Sequence, residues 1–388
     1  MKMSYMITLA IFVVGPACAG TQKPPPGCTA LYAAKDKNVD AAPALMACLN
    51  ELPSGARLEL FPGAYRLRSP VTISQSVRIE TKQAAPLCSK QTGTNCAQML
   101  IGQINDPTPG IMPIEVTGDD VSVHSVAILA DPDRSDRWAD ETCKGVRRPL
   151  GGGIRVSGNN FHMSNSLLRG MSCFTALEIV ADAKAPRLSG NVIGPNGIHD
   201  QDQMWADGVT VHDTVGAQIY DNFFKDNTDI QLILGGCRSC NIKNNSFRHT
   251  QYHRGASFAE IMIHAWPNTS GDYSDSLVAG NSIDCGTAKR CGYGIMIGGG
   301  PWYPAKTSGG SVIGNSVANA QMGINVDQLT GTMAVRGNVV IKSGGMAKSD
   351  CGTRSWPSVN ISPTSKKFAT TDFRGYSSMK TLGCLLNR

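Results

Sequence analysis

The sequence has no dense run of lysine or arginine anywhere in its 388 residues, although its formal charge is +6. A nucleic-acid surface needs basic side chains gathered on one face, so their even spread argues against nucleic acid as the main partner. Charged residues are only 17% of the chain while apolar residues reach 41%, which excludes a disordered, solvating protein. After the first twenty residues no stretch is long and apolar enough to span a bilayer. The sequence holds one CxxC, Cys237-Arg-Ser-Cys240, and lacks the second that a zinc ribbon would need. No resident metal or cofactor is expected on that ground.

What is present begins with MKMSYMITLAIFVVGPACAG, which joins a lysine, an apolar stretch from Ile7 to Val14 and an Ala-Cys-Ala cleavage site. Residues 1–19 therefore read as a signal peptide, and the protein as secreted or periplasmic. Of thirteen cysteines, Cys18 lies in that segment, leaving twelve for an oxidising compartment. Close spacing pairs Cys88 with Cys96, Cys237 with Cys240 and Cys285 with Cys291. The remaining pairs by proximity are Cys28 with Cys48, Cys143 with Cys173, and Cys351 with Cys384.

Forty-two glycines and many Asn-Gly, Gly-Asn and Asp-Asn pairs mark a turn-rich all-β chain. Between Asp207 and Trp266 the phrases DGVTVHD, DIQLILGG and EIMIHAWP alternate with YDNFF, KNNSF and AGNSI. Two phrases recurring in turn indicate stacked repeats. Asparagines at 165, 191, 222, 245, 281, 315 and 338 stand before apolar pairs, at separations of 26, 31, 23, 36, 34 and 23. The shortest spacing is one minimal coil, and the excess in the others must leave as loops. A ladder of side-chain amides at a tight corner accounts for the asparagines.

Near the N-terminus, KPPPG reads as an extended arm, followed by a short helix in AAPALMACLNELP with Ala44, Leu45, Cys48 and Leu49 on one face. RLELFPGAYRLRSPVTIS then alternates with period two around Pro62-Gly63. A capping helix, a strand, PGxY and another strand resemble the start of the pectate-lyase-like superfamily. That resemblance, continued by the repeats to about residue 345, implies a single-stranded right-handed parallel β-helix with an N-terminal capping helix. Residues 20–345 form the helix and its cap, and 346–388 a C-terminal capping tail. The paired-aspartate motifs of polygalacturonases are absent, so no particular catalytic family is indicated.

Aligned on their apolar positions, the strands GVTVHD from Gly208, DIQLIL from Asp229 and EIMIHA from Glu260 stack Asp229 beside Glu260, about 4.8 Å apart. The first, third and fifth places of each strand are expected to face solvent. Asp207 then lies at the same edge, with His264 and His212 on the same face and Gln231 among the outward residues. Stacked acids repel, which raises a carboxyl pKa or draws in a cation. Long loops carrying Trp205, Tyr252, His253, Arg254, Trp266, Trp302 and Tyr303 leave the coils around this notch.

The expected function is cleavage of a polysaccharide by a glycoside hydrolase, with Asp229 and Glu260 as the carboxylate pair and Asp207 supporting. His264 orients Glu260, and His212 is a further member. Trp205, Trp266, Arg254, Gln231, Tyr252 and Trp302 bind sugar. A polysaccharide lyase would instead use the acids to hold Ca²⁺, with Arg254, Lys225 or His264 as base. A non-catalytic glycan-binding β-helix is the remaining alternative.

Overall fold

The structure is a computed structural model that describes residues 24–83, 87–90, 95–181, 183–250, 255–298, 305–349 and 352–380. The signal peptide, the Cys351–Cys384 pair, Tyr252, His253, Arg254, Trp302 and Tyr303 lie outside the described residues. Among those described, no helix is long and apolar enough to cross a membrane.

Among the described residues, three parallel sheets of eleven, ten and ten strands extend from Ala56 to Thr371. Each coil contributes one short strand to the first sheet, one to the second and one to the third, and then repeats. Successive coils pair in parallel register, as Val209 with Leu232 and Leu232 with Ile261. Inward residues of the three sheets fill one continuous core, which includes Phe224 stacked on Phe247 with centroids 4.6 Å apart. This is the expected parallel β-helix.

Asparagine fixes the corner between the first and second sheets. The amide Nδ2 of Asn191, Asn222, Asn245, Asn281 and Asn315 each donates to Oδ1 of the next asparagine, ending at Asn338, at 2.9–3.0 Å. The same Oδ1 atoms accept a backbone N–H from the coil before. The left-handed φ falls on the residue before each ladder asparagine, such as Gly190, Asp221, Asn244 and Gly280. Asn165 occupies that left-handed slot itself (φ 50°), and Ser166 takes the ladder position, its N–H donating to Asn191. Asn245→Ala removes two donated and two accepted bonds from a fully buried site. It is expected to lower stability by roughly 2–4 kcal/mol, read as a shift in the denaturant midpoint.

The N-terminal cap differs from the expected extended arm. Pro26–Ala34 is a helix, α1, packed on α2 (Ala42–Glu51) and joined to it by Cys28–Cys48. Proline in the first helical turn lacks only an N–H that would be unsatisfied there anyway, so PPPG starts a helix instead of forbidding one. Disulfides Cys88–Cys96, Cys143–Cys173, Cys237–Cys240 and Cys285–Cys291 join the pairs read from the sequence. Parallel stacking continues past residue 345, through Val359–Ile361 in the third sheet and Ala369–Thr371 in the first. An antiparallel hairpin, Gly345–Ala347 with Arg354–Trp356, interrupts it and lays Trp356 over the outside of the third sheet.

From residue 124 on, the corner between first and second sheets stays tight, and the extra length of the longer coils leaves at the other two corners. Excursions 131–153 and 194–205 rise between the second and third sheets, as do the described parts of the connections 249–256 and 342–358. Excursion 264–276 rises between the third and first, as does 305–310, the described part of the connection that follows Cys291–Ile297. The outer face of the third sheet therefore lies between two walls.

Candidate active site

On that face the register sets one outward column running Glu115, Arg155, Glu178, Thr210, Ile233, Met262, Met296 and Asn325. Its character changes along the helix. From Ile233 to Met296 the column is apolar and joins Phe258, Tyr293, Met322 and Trp356 in a buried outer cluster, with the polar Asn325 beyond it. The half before Ile233 is charged. Arg155 Nε donates to Glu178 at 2.6 Å and its guanidinium also reaches Glu115 at 3.4 Å.

His212 Nε2 meets the other oxygen of Glu178 at 2.8 Å. Burial raises the Glu178 pKa, but His212 and Arg155 outweigh that and leave it below the ordinary value, so the carboxylate stays ionised. The Trp266 ring stands edge-on to the His212 ring at 4.9 Å and lies over Gly235. A side chain at Gly235 would collide with that ring, so glycine is what lets the tryptophan settle on the sheet.

Two further acids, Asp207 and Asp229, lie on adjacent coils, within and just before the strands that carry Thr210 and Ile233. Asp207 accepts from the Ile230 N–H at 3.1 Å and from the Thr210 hydroxyl at 3.2 Å. Asp229 directly precedes Ile230 in the chain. Loss of hydration, and then the Asp229 charge, push the Asp207 pKa well above the usual carboxylate range, against the pull of those two bonds and of Arg148. Arg148 is held over this end by Gln203 and the Trp205 carbonyl, at 2.8 and 3.2 Å. Trp205 itself donates to the His199 carbonyl at 2.9 Å and is half-buried.

The expected Asp229–Glu260 stack does not form. The strand Ile230–Leu234 sits two residues away from the alignment expected, so Gly208, Gln231 and Glu260 share a column and Asp229 lies across from Phe258. That column also turns inward. A side chain at Gly208 would meet Phe224, and one at Gly294 would meet Val317, both in the core. Gln231 and Glu260 are correspondingly fully buried, which withdraws Gln231 from the sugar-facing surface.

Glu260 ends a buried polar chain. It accepts from Gln231 at 2.6 Å and from Ser257 at 2.5 Å, and pairs with His249 at 2.8 Å. Asp226 meets the other side of His249 at 3.3 Å and also holds the Thr250 N–H and hydroxyl at 2.8 Å. Burial alone lowers the His249 pKa, but Glu260 and Asp226 reverse this and carry it to about 9. The imidazolium is thus charged inside the protein.

A folded-state pKa above the unfolded value near 6.5 contributes stability in full below about pH 6.5, lost as pH rises through about 9. The loss is on the order of 3 kcal/mol at most, and denaturant midpoints measured from pH 6 to pH 10 should decline over that window. Cys285 and Cys291 lie close to Glu260, but their sulfurs are bonded to each other, so no thiolate is offered to a metal.

His264 does occupy the column of His212, with Gly235 between them, but it is 1% exposed and bonds the Gly298 carbonyl through Nδ1 at 2.7 Å. It faces away from Glu260's inward column and cannot orient that acid. Sequence reasoning passed over Glu178, Arg155 and Arg148. The alternation of opposite charge at Glu115, Arg155 and Glu178 on successive coils was the available signal.

No protein-family model matches the chain, and no curated protein matches its sequence. Among solved structures, it is similar to the endo-xylogalacturonan hydrolase of Aspergillus tubingensis. That match has a TM-score of 0.52 and 12% identity, over 89% of this chain and 88% of the other. An alginate lyase solved with a trisaccharide matches at a TM-score of 0.52 and 14% identity, over 84% of this chain and 62% of that one. The enzymatically active domain of tailspike protein 2 from bacteriophage CBA120 matches at 0.50 and 12%, over 79% and 41%. The chain has the pectin-lyase-like right-handed parallel β-helix fold.

Proposed function

We infer that this protein is an exported enzyme that cleaves glycosidic bonds of a polysaccharide lying in the groove on the third sheet. The observation that carries the reading is the Asp207–Asp229 pair on adjacent coils, with Asp207 raised by lost hydration and by its neighbour. A hydrolase needs one carboxyl that keeps its proton near neutral pH and another that does not. Asp207 protonates the leaving oxygen, and Asp229 serves as nucleophile or base. Glu178, held ionised by Arg155 and His212, adds negative charge beside a developing oxocarbenium centre. Trp266 gives a ring for a sugar face, and Trp205 and Arg148 border the other end. Five disulfides among the described residues support an oxidising, extracytoplasmic setting.

A lyase is the second reading, and the two carboxyl groups on adjacent coils favour it. Asp207 and Asp229 offer hard oxygen ligands that suit Ca²⁺, while Glu178 is already committed to Arg155 and His212. The test is a screen of the purified protein on neutral and uronate polysaccharides, following reducing ends and ultraviolet absorbance together, with and without chelator. Reducing ends without absorbance support hydrolysis. Absorbance that disappears with chelator overturns it in favour of elimination.

A further inference from the structure

Behind the wall between the second and third sheets lies a cavity of about 360 Å³, lined by Arg134, Arg169, Ser135 and Ser172 over an apolar floor of Met171, Ile198 and Met204. It is separate from the groove, since Arg169 continues the outward column Arg66, Leu100, Leu129 of the second sheet. The Arg134 guanidinium is fixed in place by its surroundings. Nη2 donates to the Gly170 carbonyl at 2.7 Å, and the plane lies over Trp138 at 5.5 Å. Trp138 is itself tied to the Ile104 carbonyl at 3.2 Å and belongs to α3 (Asp136–Cys143). Yet Nη1 of Arg134 is buried with no hydrogen-bond acceptor among the described residues.

A guanidinium is permanently charged and strongly hydrated at that edge when free, so a buried donor without an acceptor is rarely left so. Two carboxylates also line the cavity. Asp131 is engaged by Arg66 and by the Asp133 N–H, whereas Asp136 stands in the first turn of α3. The cavity is much larger than a bare ion needs, and its floor is apolar.

We propose that this cavity is a second ligand site, taking a sugar-sized molecule whose oxyanion is received by Arg134 and Arg169 while its ring rests on Met171, Ile198 and Met204. Planar guanidinium groups suit a carboxylate or sulfate in two-point contact. The site is independent of the reaction assigned to the groove, and binding is its readout.

The experiment measures thermal midpoint and calorimetric binding of the whole mature protein with sodium glucuronate, inorganic phosphate and glucose, against sodium chloride at equal ionic strength. Glucuronate is expected to raise the midpoint saturably, with glucose silent. Arg134→Gln and Arg169→Gln should each weaken binding by about tenfold or more. Asp136→Asn should tighten it about two- to threefold by removing an opposing charge. Asp207→Asn should bind as the parent does.

The proposal is overturned if the parent responds to none of these solutes, or if Arg134→Gln and Arg169→Gln respond as the parent. Response to phosphate alone overturns the ring-bearing ligand, and loss of binding in Asp207→Asn moves the event to the groove. Should Arg134→Gln fail to fold, Arg134→Lys keeps the charge without the fork and must still bind at least several-fold more weakly.

Discussion

Asp207→Asn cuts polysaccharide cleavage by about 10²- to 10⁴-fold while leaving the thermal midpoint close to the parent's. The asparagine oxygen can still accept from the Ile230 N–H, and its amide nitrogen, standing where the second carboxylate oxygen was, can donate to the Thr210 hydroxyl in a reversed bond, so both contacts keep a partner. What disappears is the proton that an acid with a raised pKa holds for the leaving oxygen. Asp229→Asn is expected to fall as far, and with a second signature. Removing the Asp229 charge lets the Asp207 pKa drop, so any residual activity shifts its upper pH limit downward. Rates on one soluble glycan, measured from pH 4 to pH 9, check both. Full activity in either variant would sink the assignment of that pair.

Glu260→Gln has a large effect of a different kind. It leaves the His249 imidazolium in the core with only Asp226, at 3.3 Å, to balance it. Breaking one side of a buried ion pair costs about 3–5 kcal/mol, and the expected loss lies at the lower end because Asp226 remains. The deficit should narrow above about pH 9, where the parent's His249 has also lost its charge. Denaturant melts of parent and variant at pH 7 and pH 10 decide this. A variant that keeps parental stability but loses activity would return Glu260 to the catalytic group. The two substitutions thus separate an acid of the groove from an acid of the scaffold.

The β-helix was legible because its signals are repeated and redundant. The asparagine before each apolar pair appears once per coil, and a misreading at Asn165 leaves the others intact. The site was less legible, for a reason specific to strands. Side chains alternate with period two, so a slip of one residue exposes the core, but a slip of two leaves every apolar residue facing inward. In DIQLIL both Ile230-Leu232 and Leu232-Leu234 satisfy the pattern, and only hydrogen bonding selects the second.

Glu260 misled for another reason. Apart from Gln231, its column is otherwise Ala176, Gly208, Gly294 and Gly323, and such small residues mark a place where the chain dips into the core. A carboxylate there has to be neutralised from within, and His249, on a different corner phrase, supplied no signal in the strand pattern. Asp207, Asp229, His212 and Trp266 were all visible as candidates. Their association with Glu178 followed only from the register.

The corner that carries the asparagine ladder admits no extra residues from residue 124 on, while the two others hold excursions of very different length. The molecule therefore has a spine of fixed gauge, like a zip whose teeth are Asn191 to Asn338. A segment cut or duplicated from one tooth to the next, such as the 23 residues from Asn315 to Asn338, carries a whole coil and returns the chain to the same point of the cross-section. A change in the spine alters the length in whole coils, whereas a change in an excursion alters one wall, so the reach of the groove and the chemistry lining it are set by different parts of the chain.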